Sequence, residues 1–384
     1  MVIFSEHFLP TRGGSINWLV NSYGRYQRDG VLFVVGGENS REGGNEEVPF
    51  PIYRIDMTMS DWDPCIPSSL FRYIRIILRL RKICRKHDIQ QIHCAKVLPE
   101  GLVAWFIKQI ASIPYILYAH GEEITVGLTA RKFQWLLPRI YNGAGAIIAN
   151  SFNTRALLGD IGVEADKIHV IHPGVDAESY DLRASEVEAI QQKHLLGNCP
   201  VILTVGRMQR RKGQDMVIKA LPRLKKKFSD IKYLIVGTGE ESQYLRQLAH
   251  NCGVSDAVIF AGLVPDKDLP AYYSVCDVFI MPNREIDGDI EGFGMVFLEA
   301  NAARKPVIGG MSGGTGDAIV HGVTGLRVDG TDVKAISDSV IYLLKDREKA
   351  RNMGKAGRRR VEEEFTWESV ADRTMLISDS VSIS

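Results

Sequence analysis

VILTVGRMQRRKG, residues 201–213, runs from a short apolar segment into a basic turn ending in glycine, and the helical pattern QDMVIKALPRL follows it. An apolar run feeding an amphipathic helix is half of a βαβ unit, the repeat that builds parallel sheets covered by helices. The same rhythm recurs in both directions along the chain. Strands are expected near Val2–Phe4, Leu32–Val35, Gln91–His93, Tyr115–Tyr118, Ala146–Ala149 and His169–Ile171. A second series is expected near Val201–Val205, Tyr233–Val236, Val258–Phe260, Val278–Met281, Pro306–Ile308 and Gly325–Val328. The reading is α/β, with two open parallel sheets in series, and the length of 384 residues exceeds what one core normally supports.

Two Rossmann-like domains are therefore expected, over residues 1–178 and 179–364, with the polar stretch 179–200 as a link between them. The closing segment, 365–384, opens with a helix near Trp367–Ile377 that is free to cross back to the first domain. Its end, Ser378–Ser384, is expected to fray.

Composition narrows the function. Apolar residues at 45% and charged residues at 24% are those of an ordinary globular protein. A net charge of +1 gives no global attraction to nucleic acid, so electrostatic recognition must be local. The six cysteines are scattered without a CxxC pair, which argues against structural zinc or a disulfide framework and for a reducing, cytoplasmic compartment. No window supplies the roughly 18 uncharged apolar residues of a spanning helix, and the N-terminus has no secretory signal pattern.

In open parallel sheets ligands bind beyond the carboxyl ends of the strands. Past Val205, Arg207 and Lys212 place two cations at a helix start, which suits a diphosphate whose charge grows as it leaves. A solvated basic turn would read the same way. Past Met281 comes PNREIDGDIEGFGMVFLEANAA, where Gly292 and Gly294 let backbone amides approach an anion at a helix start. Glu291 stands at the mouth of this segment, and Glu299 is expected about two turns into the helix, where a carboxylate can accept a vicinal diol. The plainer alternative makes Glu291 a helix-dipole partner and Glu299 a surface residue. Past Ile308, GGMSGGTGD reads as a further backbone nest or as a bland loop. In the first half, Gly13 and Gly14 open helix 1 and His120–Gly121 follows a strand, both facing the expected cleft.

In these motifs the chain resembles the family-4 glycosyltransferases, which have the two-Rossmann GT-B architecture. The match runs in family order through TRGG, YAHGEE, ANS at Ala149–Ser151, VIHPGVD, VGRMQRRKGQD, EGFGMVFLEA with seven residues between its acids, and GVTGLRVDG. GRMQRRKGQD and EGFGMVFLEA look most like bacterial mannosyltransferases that extend phosphatidylinositol mannosides, and like exopolysaccharide enzymes.

The resemblance implies transfer of a hexose from a nucleotide diphosphate sugar with retention, by same-face attack in which the leaving phosphate helps deprotonate the acceptor. Matched by position, Arg207 and Lys212 hold the diphosphate, Glu299 the ribose, and Glu291 with Gly292 and the Phe293–Gly294 amides the sugar. His120 sits against the sugar near C6 or the anomeric centre, and Gly13 and Gly14 close on the phosphates. Gly237 in VGTGEES and Val264 in GLVPDKD also fall to the donor. Asp266 or Asp268 can pair with the N1 and N2 donors of guanine, which favours GDP-mannose over a UDP-sugar such as UDP-glucose or UDP-GlcNAc. No cofactor or metal is implied. The triplets Asp61-Trp62-Asp63 and Asp287-Gly288-Asp289 match a three-residue acidic pattern that is common by chance.

Seven basic residues and no acidic ones lie between Pro64 and His87. On a helical wheel Arg72, Arg75, Arg79, Lys82 and Lys86 share one side, and Tyr73, Ile74, Ile77, Leu80 and Cys84 the other. Such a helix can rest on an anionic membrane surface, which implies a peripheral enzyme with a polyprenyl-diphosphate or phosphatidylinositol glycan as acceptor. A packed helix with a solvated basic face is the alternative.

Two rivals remain. A dehydrogenase is disfavoured, because VGTGEES lacks the third glycine of the dinucleotide fingerprint. A nucleotide-sugar epimerase on the same fold is opposed by TRGG and HGEE in the first half.

Overall fold

The computed structural model describes residues 1–9, 13–25, 30–37, 43–45, 48–57, 62–63, 66–128 and 131–382. Thr11 and Arg12 of TRGG, Asp61 of the first acidic triplet, Cys65 and the last two residues lie outside them. The chain divides into two compact units, one of residues Met1–Pro173 with Trp367–Ser384 and one of Gly174–Thr366.

The first unit holds β1 (Val2–Ser5), β2 (Leu32–Gly36), β3 (Gly43–Asn45), β4 (Val48–Ile55), β5 (Ile92–Cys94), β6 (Tyr115–Ala119), β7 (Ala146–Ala149) and β8 (Ile168–Val170). They pair in the order β3-β4-β2-β1-β5-β6-β7-β8. Every pairing is parallel except β3 with β4. Its helices are α1 (Gly14–Gly24), α2 (Pro67–Lys86), α3 (Leu102–Ala111), α4 (Glu122–Leu128), α5 (Arg131–Gly143) and α6 (Phe152–Asp160).

Strands β3 and β4 were not expected, and the prolines of VPFPIYRI explain why. Pro49 and Pro51 have no N–H to give a ladder, so the segment reads as a non-strand. In the fold, β4 pairs with β2 only through Ile52–Ile55, beyond both prolines.

The second unit holds β9 (Val201–Val205), β10 (Lys232–Val236), β11 (Val258–Gly262), β12 (Val278–Met281), β13 (Val307–Gly310) and β14 (Gly325–Val328), in the order β11-β10-β9-β12-β13-β14. All its pairings are parallel. Helices α7 (Ala184–Lys193), α8 (Gln214–Lys225), α9 (Ser242–Asn251), α10 (Leu269–Val275), α11 (Met295–Ala302), α12 (Thr315–Ala318), α13 (Val333–Lys345) and α14 (Arg347–Glu364) accompany it. Alternate strand residues feed opposite cores, as a pleat requires: Leu203 and Val205 join Phe279 and Phe297, while Ile202 joins Leu221 and Val340. The order in which strands are added reverses between β9 and β12, so the loops following these two neighbours meet at the edge where open sheets bind ligands.

The stretch expected as a link is built into this unit. Ile190 on α7 and Leu196 behind it are buried in the core that contains Phe279.

The end of the chain forms α15 (Trp367–Ser382), which belongs to the first unit. The tail expected to fray is helical to Ser382, and Ser378 within it is buried and finds partners. Ser378 Oγ donates to Gln91 Oε1 at 2.5 Å, and Gln91 Nε2 donates to the Ser378 carbonyl at 3.0 Å. Gln91 Oε1 also lies 2.6 Å from His93 Nε2, and the other ring nitrogen of His93 meets the Tyr23 hydroxyl. Val381 packs against Gly145, where a Cβ would lie 2.5 Å from it.

Helix α2 departs from the expected wheel in one respect. Tyr73, Ile76, Leu80 and Cys84 are buried, whereas Ile74 is 46% exposed, beside Phe71 at 63% and Leu78 at 58%. Arg72, Arg75, Arg79 and Lys82 are exposed as well. The outward face is thus mixed apolar and basic.

Candidate active site

Arg207 is exposed just past β9, and its carbonyl accepts a hydrogen bond from Gln214 Nε2 at 3.1 Å. Arg210–Lys212 form one 3-10 turn, and Gly213 caps α8 with a φ of 79°. A Cβ on Gly213 would lie 2.2 Å from the Pro282 carbonyl oxygen, so the loops after β9 and β12 touch only because this residue is glycine. They are then bolted together. The Arg284 N–H donates to the Arg211 carbonyl at 2.8 Å, and the Arg284 guanidinium grips both oxygens of buried Asp215 at 2.9 Å.

That join brings Glu291 to the basic turn. Glu291 is 9% exposed, and its Oε2 accepts from Arg211 Nη1 at 2.8 Å and from the Lys212 ammonium. Arg211 Nε also reaches Asp289 Oδ2 at 2.9 Å. Burial alone pushes the Glu291 carboxyl up, but Lys212 and Arg211 reverse this and hold it below the usual carboxylate range. The Gly313–Gly314 turn closes the far side: Gly314 N–H donates to the Glu291 carbonyl at 2.8 Å, and a Cβ on Gly313, whose φ is 66°, would lie 2.0 Å from that oxygen. Asn283 fixes the same turn, accepting from the Gly310 N–H at 3.0 Å and donating to the Ser312 carbonyl at 2.9 Å.

Lys212, matched by resemblance to the diphosphate, is paired with Glu291 in this structure. Arg211 was not singled out in the sequence. Its only signal there is its place in a run of three cations, and adjacency of β9 and β12 is what selects it. Phe293 is 3% exposed with its ring against Phe365 at 6.0 Å, so only its backbone is offered to a ligand. Gly292 is half-buried beside it, and Gly294 caps α11 in the left-handed region.

Glu299 lies little more than one turn into α11, not two, since the helix begins at Met295. The Tyr273 hydroxyl donates to its Oε2 at 2.5 Å. Burial pushes its carboxyl up, the Tyr273 hydrogen bond opposes this, and the charge of Asp266 adds to the rise. Asp266 is exposed in the 3-10 turn Asp266–Asp268. The Val264 side chain is buried in the core cluster that contains Tyr272 and Phe279, so its backbone is the part it could offer a donor. Gly237 stands at the edge of β10, its N–H donating to the Gly262 carbonyl at 2.8 Å.

In the first unit, β1, β5 and β6 are neighbours, and the loops after them carry Gly13–Gly14, Glu100 and His120. Gly13 is extended and caps α1 in open space. His120 Nε2 lies 3.0 Å from the Ala95 carbonyl, which can only accept, so that nitrogen carries the proton. The His120 backbone is clamped on both sides, by Glu123 Oε1 at 2.7 Å and Asn150 Nδ2 at 2.9 Å, and Trp18 meets its ring edge-on at 5.8 Å. Glu100 is fully buried at this edge and accepts from the Glu6 N–H at 2.6 Å; burial pushes its carboxyl up to about 7.

Among the described residues no group of three His, Cys, Asp or Glu side chains could hold a metal ion, and Asp289 of the second acidic triplet is committed to Arg211.

Residues 34–179 match the model of Glycosyltransferase Family 4, and residues 186–360 that of Glycosyl transferases group 1. The GDP-mannose-dependent alpha-(1-6)-phosphatidylinositol monomannoside mannosyltransferase of Mycobacterium tuberculosis is 35% identical over 361 residues, covering 90% of this chain and 93% of the relative. The chain belongs to the family-4 glycosyltransferases. A Corynebacterium glutamicum enzyme named for the monoacylated form of that acceptor is 32% identical, covering 99% of the glycosyltransferase and 97% of the relative. Among solved structures, Anabaena HepE in complex with UDP-glucose superimposes with a TM-score of 0.83 at 19% identity over the full length of both chains. Sucrose-phosphate synthase from Thermosynechococcus elongatus gives 0.82 at 21%, covering 99% of this chain and 98% of that one. The fold of the glycosyltransferase is therefore GT-B, and the enzyme is a retaining hexosyltransferase that takes its sugar from a nucleotide diphosphate.

Proposed function

We propose that the donor is GDP-mannose and that the acceptor is a lipid-linked glycan of the phosphatidylinositol mannoside class, met at an anionic membrane surface on the cytoplasmic side. The observation that carries the reading is the buried Glu291 carboxylate held by two cations at the β9–β12 edge of the second unit, in a chain about one-third identical to enzymes named for GDP-mannose.

In this reading the diphosphate lies against Arg207 and Lys212 at the start of α8, whose N–H groups and dipole favour an anion. Glu291, with the Gly292–Gly294 backbone, accepts mannose hydroxyls. Glu299 takes the ribose, and Asp266 or Asp268 the guanine edge. The first unit offers His120 and the open backbone at Gly13–Gly14. The bond from the anomeric carbon to phosphate oxygen breaks as the acceptor hydroxyl attacks the same face. The hydroxyl proton passes to the departing phosphate, so no side chain need act as nucleophile. The protein supplies positive charge where the leaving group gains negative charge, and the reading includes no metal.

The exposed basic and apolar side of α2 supports the surface assignment, since Arg72, Arg75, Arg79 and Lys82 meet lipid phosphates while Phe71, Ile74 and Leu78 enter the interface. No helix among the described residues is long and apolar enough to cross a membrane. Transfer of labelled mannose from GDP-mannose to phosphatidylinositol mannoside in vesicles tests the reading. Label appearing only as free mannose, or only from a UDP-sugar, would refute it.

A further inference from the structure

We infer that Arg211 is a positioning residue whose task is to keep Lys212 available to the donor. This deepens the proposed function and rests on its assignment of the diphosphate to Lys212. Both cations bind the same oxygen of Glu291, and Arg211 alone also binds Asp289. The four groups sum to zero charge, two positive and two negative, so the resting cluster has no net attraction for an incoming diphosphate. A cation must change partners, and the carboxylate it leaves must not stay buried and uncompensated, because removing one partner of a buried pair is strongly unfavourable.

The two cations are suited to different parts of this exchange. Arg211 is tied through its carbonyl to the Arg284 N–H, and its rigid fork spans two carboxylates, Nη1 on Glu291 and Nε on Asp289. Among the described residues the Lys212 ammonium meets Glu291 alone, from a flexible stem. When the diphosphate arrives, Lys212 turns to it, and Arg211 remains as the counter-ion of Glu291. That carboxylate stays ionised and in place to accept sugar hydroxyls. Without Arg211, Lys212 is the sole partner of a buried carboxylate and cannot leave it.

The test uses full-length enzyme and isothermal calorimetry with GDP and UDP, which have the diphosphate but no sugar, so the role of Glu291 toward sugar does not enter. Arg211→Met weakens GDP binding by about tenfold, a shift within the range of one charge-assisted contact. Adding Glu291→Gln to that variant releases Lys212 and restores affinity to about the wild-type level. Unchanged binding by Arg211→Met overturns the inference. So does a loss that Glu291→Gln fails to restore, which is what a direct phosphate contact or a merely structural role predicts. Should Arg211→Met not fold, Arg211→Gln removes the charge while keeping polar atoms and carries the same expectations. Failure of the underlying assignment looks different: wild type then binds neither nucleotide, or Lys212→Met leaves GDP affinity unchanged.

Discussion

Glu291 and Arg211, eighty positions apart in the chain, form a buried ion pair at 2.8 Å because β9 and β12 are neighbours in the second sheet. In the proposed reading the donor site is organised around that pair. Its electrostatic consequence is a carboxyl held below its usual range in a place where burial alone would raise it.

In the proposed reading, replacing Glu291 with Ala removes the group assigned to the sugar but leaves the cations assigned to the diphosphate in place. Turnover should fall on the order of 100-fold, the cost of a misplaced reacting group, with a smaller change in the KM for donor. Steady-state kinetics check this, and an unchanged kcat with a raised KM would exchange the roles given to Glu291 and Glu299.

Glu299→Gln is expected to weaken nucleotide binding and yet stabilise the fold at neutral pH. The folded carboxyl lies above its unfolded value of 4.5, so its contribution to stability is present below that pH and is lost as pH rises through the folded value. Ionising Glu299 as pH rises is therefore costlier in the folded protein than in the unfolded chain, and the amide relieves this. Thermal denaturation should show a higher Tm for the variant at pH 7 and no gain at pH 4. A gain of equal size at both values would point to packing instead.

Acid should loosen the first unit. Burial lowers the His93 pKa from 6.5 to about 3, so between those values the unfolded chain binds a proton that the folded chain does not. Stability then falls with decreasing pH, at about 1.4 kcal/mol per pH unit in the middle of the window. His93 partners Gln91, which bonds to Ser378 on α15, so this helix should be among the first elements to exchange its amides. His93→Gln should flatten the slope, as read by denaturant titrations across the pH range.

Reversing Arg72, Arg75 and Arg79 to Glu should abolish cosedimentation with anionic vesicles, since each basic group near such a surface contributes about 1 kcal/mol. With the three arginines intact, Phe71→Ser with Leu78→Ser should weaken cosedimentation, most clearly at high salt, where the charges are screened. Undiminished cosedimentation of the charge-reversed enzyme would return α2 to a purely structural role.

Much of this was legible in the sequence, and the exceptions have physical causes. Strand β4 was hidden by Pro49 and Pro51, which occupy the part of the strand that does not pair with β2. Periodicity marked α2 correctly but put Ile74 on its inner side. A wheel cannot tell which apolar residues a neighbouring sheet will cover, and the structure buries Ile76 instead. The polar end of α15 looked like a tail because serine has no strong helix signal, and its partners Gln91 and His93 lie far away in the chain. In the site, Arg207, Lys212 and Glu291 were visible as loop residues, whereas Arg211 acquired its role only from a tertiary contact. Val264 is a loop position whose side chain serves the core, which the sequence did not signal.

The central claim, a GDP-sugar donor site built on Arg207, Lys212 and Glu291, is tested most directly by the thermal shift of the purified enzyme with GDP, UDP, GDP-mannose and UDP-glucose in buffer without added metal. The account predicts a clear rise in Tm with GDP and a larger one with GDP-mannose, both reduced by Lys212→Met, and little response to the uridine nucleotides. Equal shifts with GDP and UDP, or no shift with any of them, would contradict it.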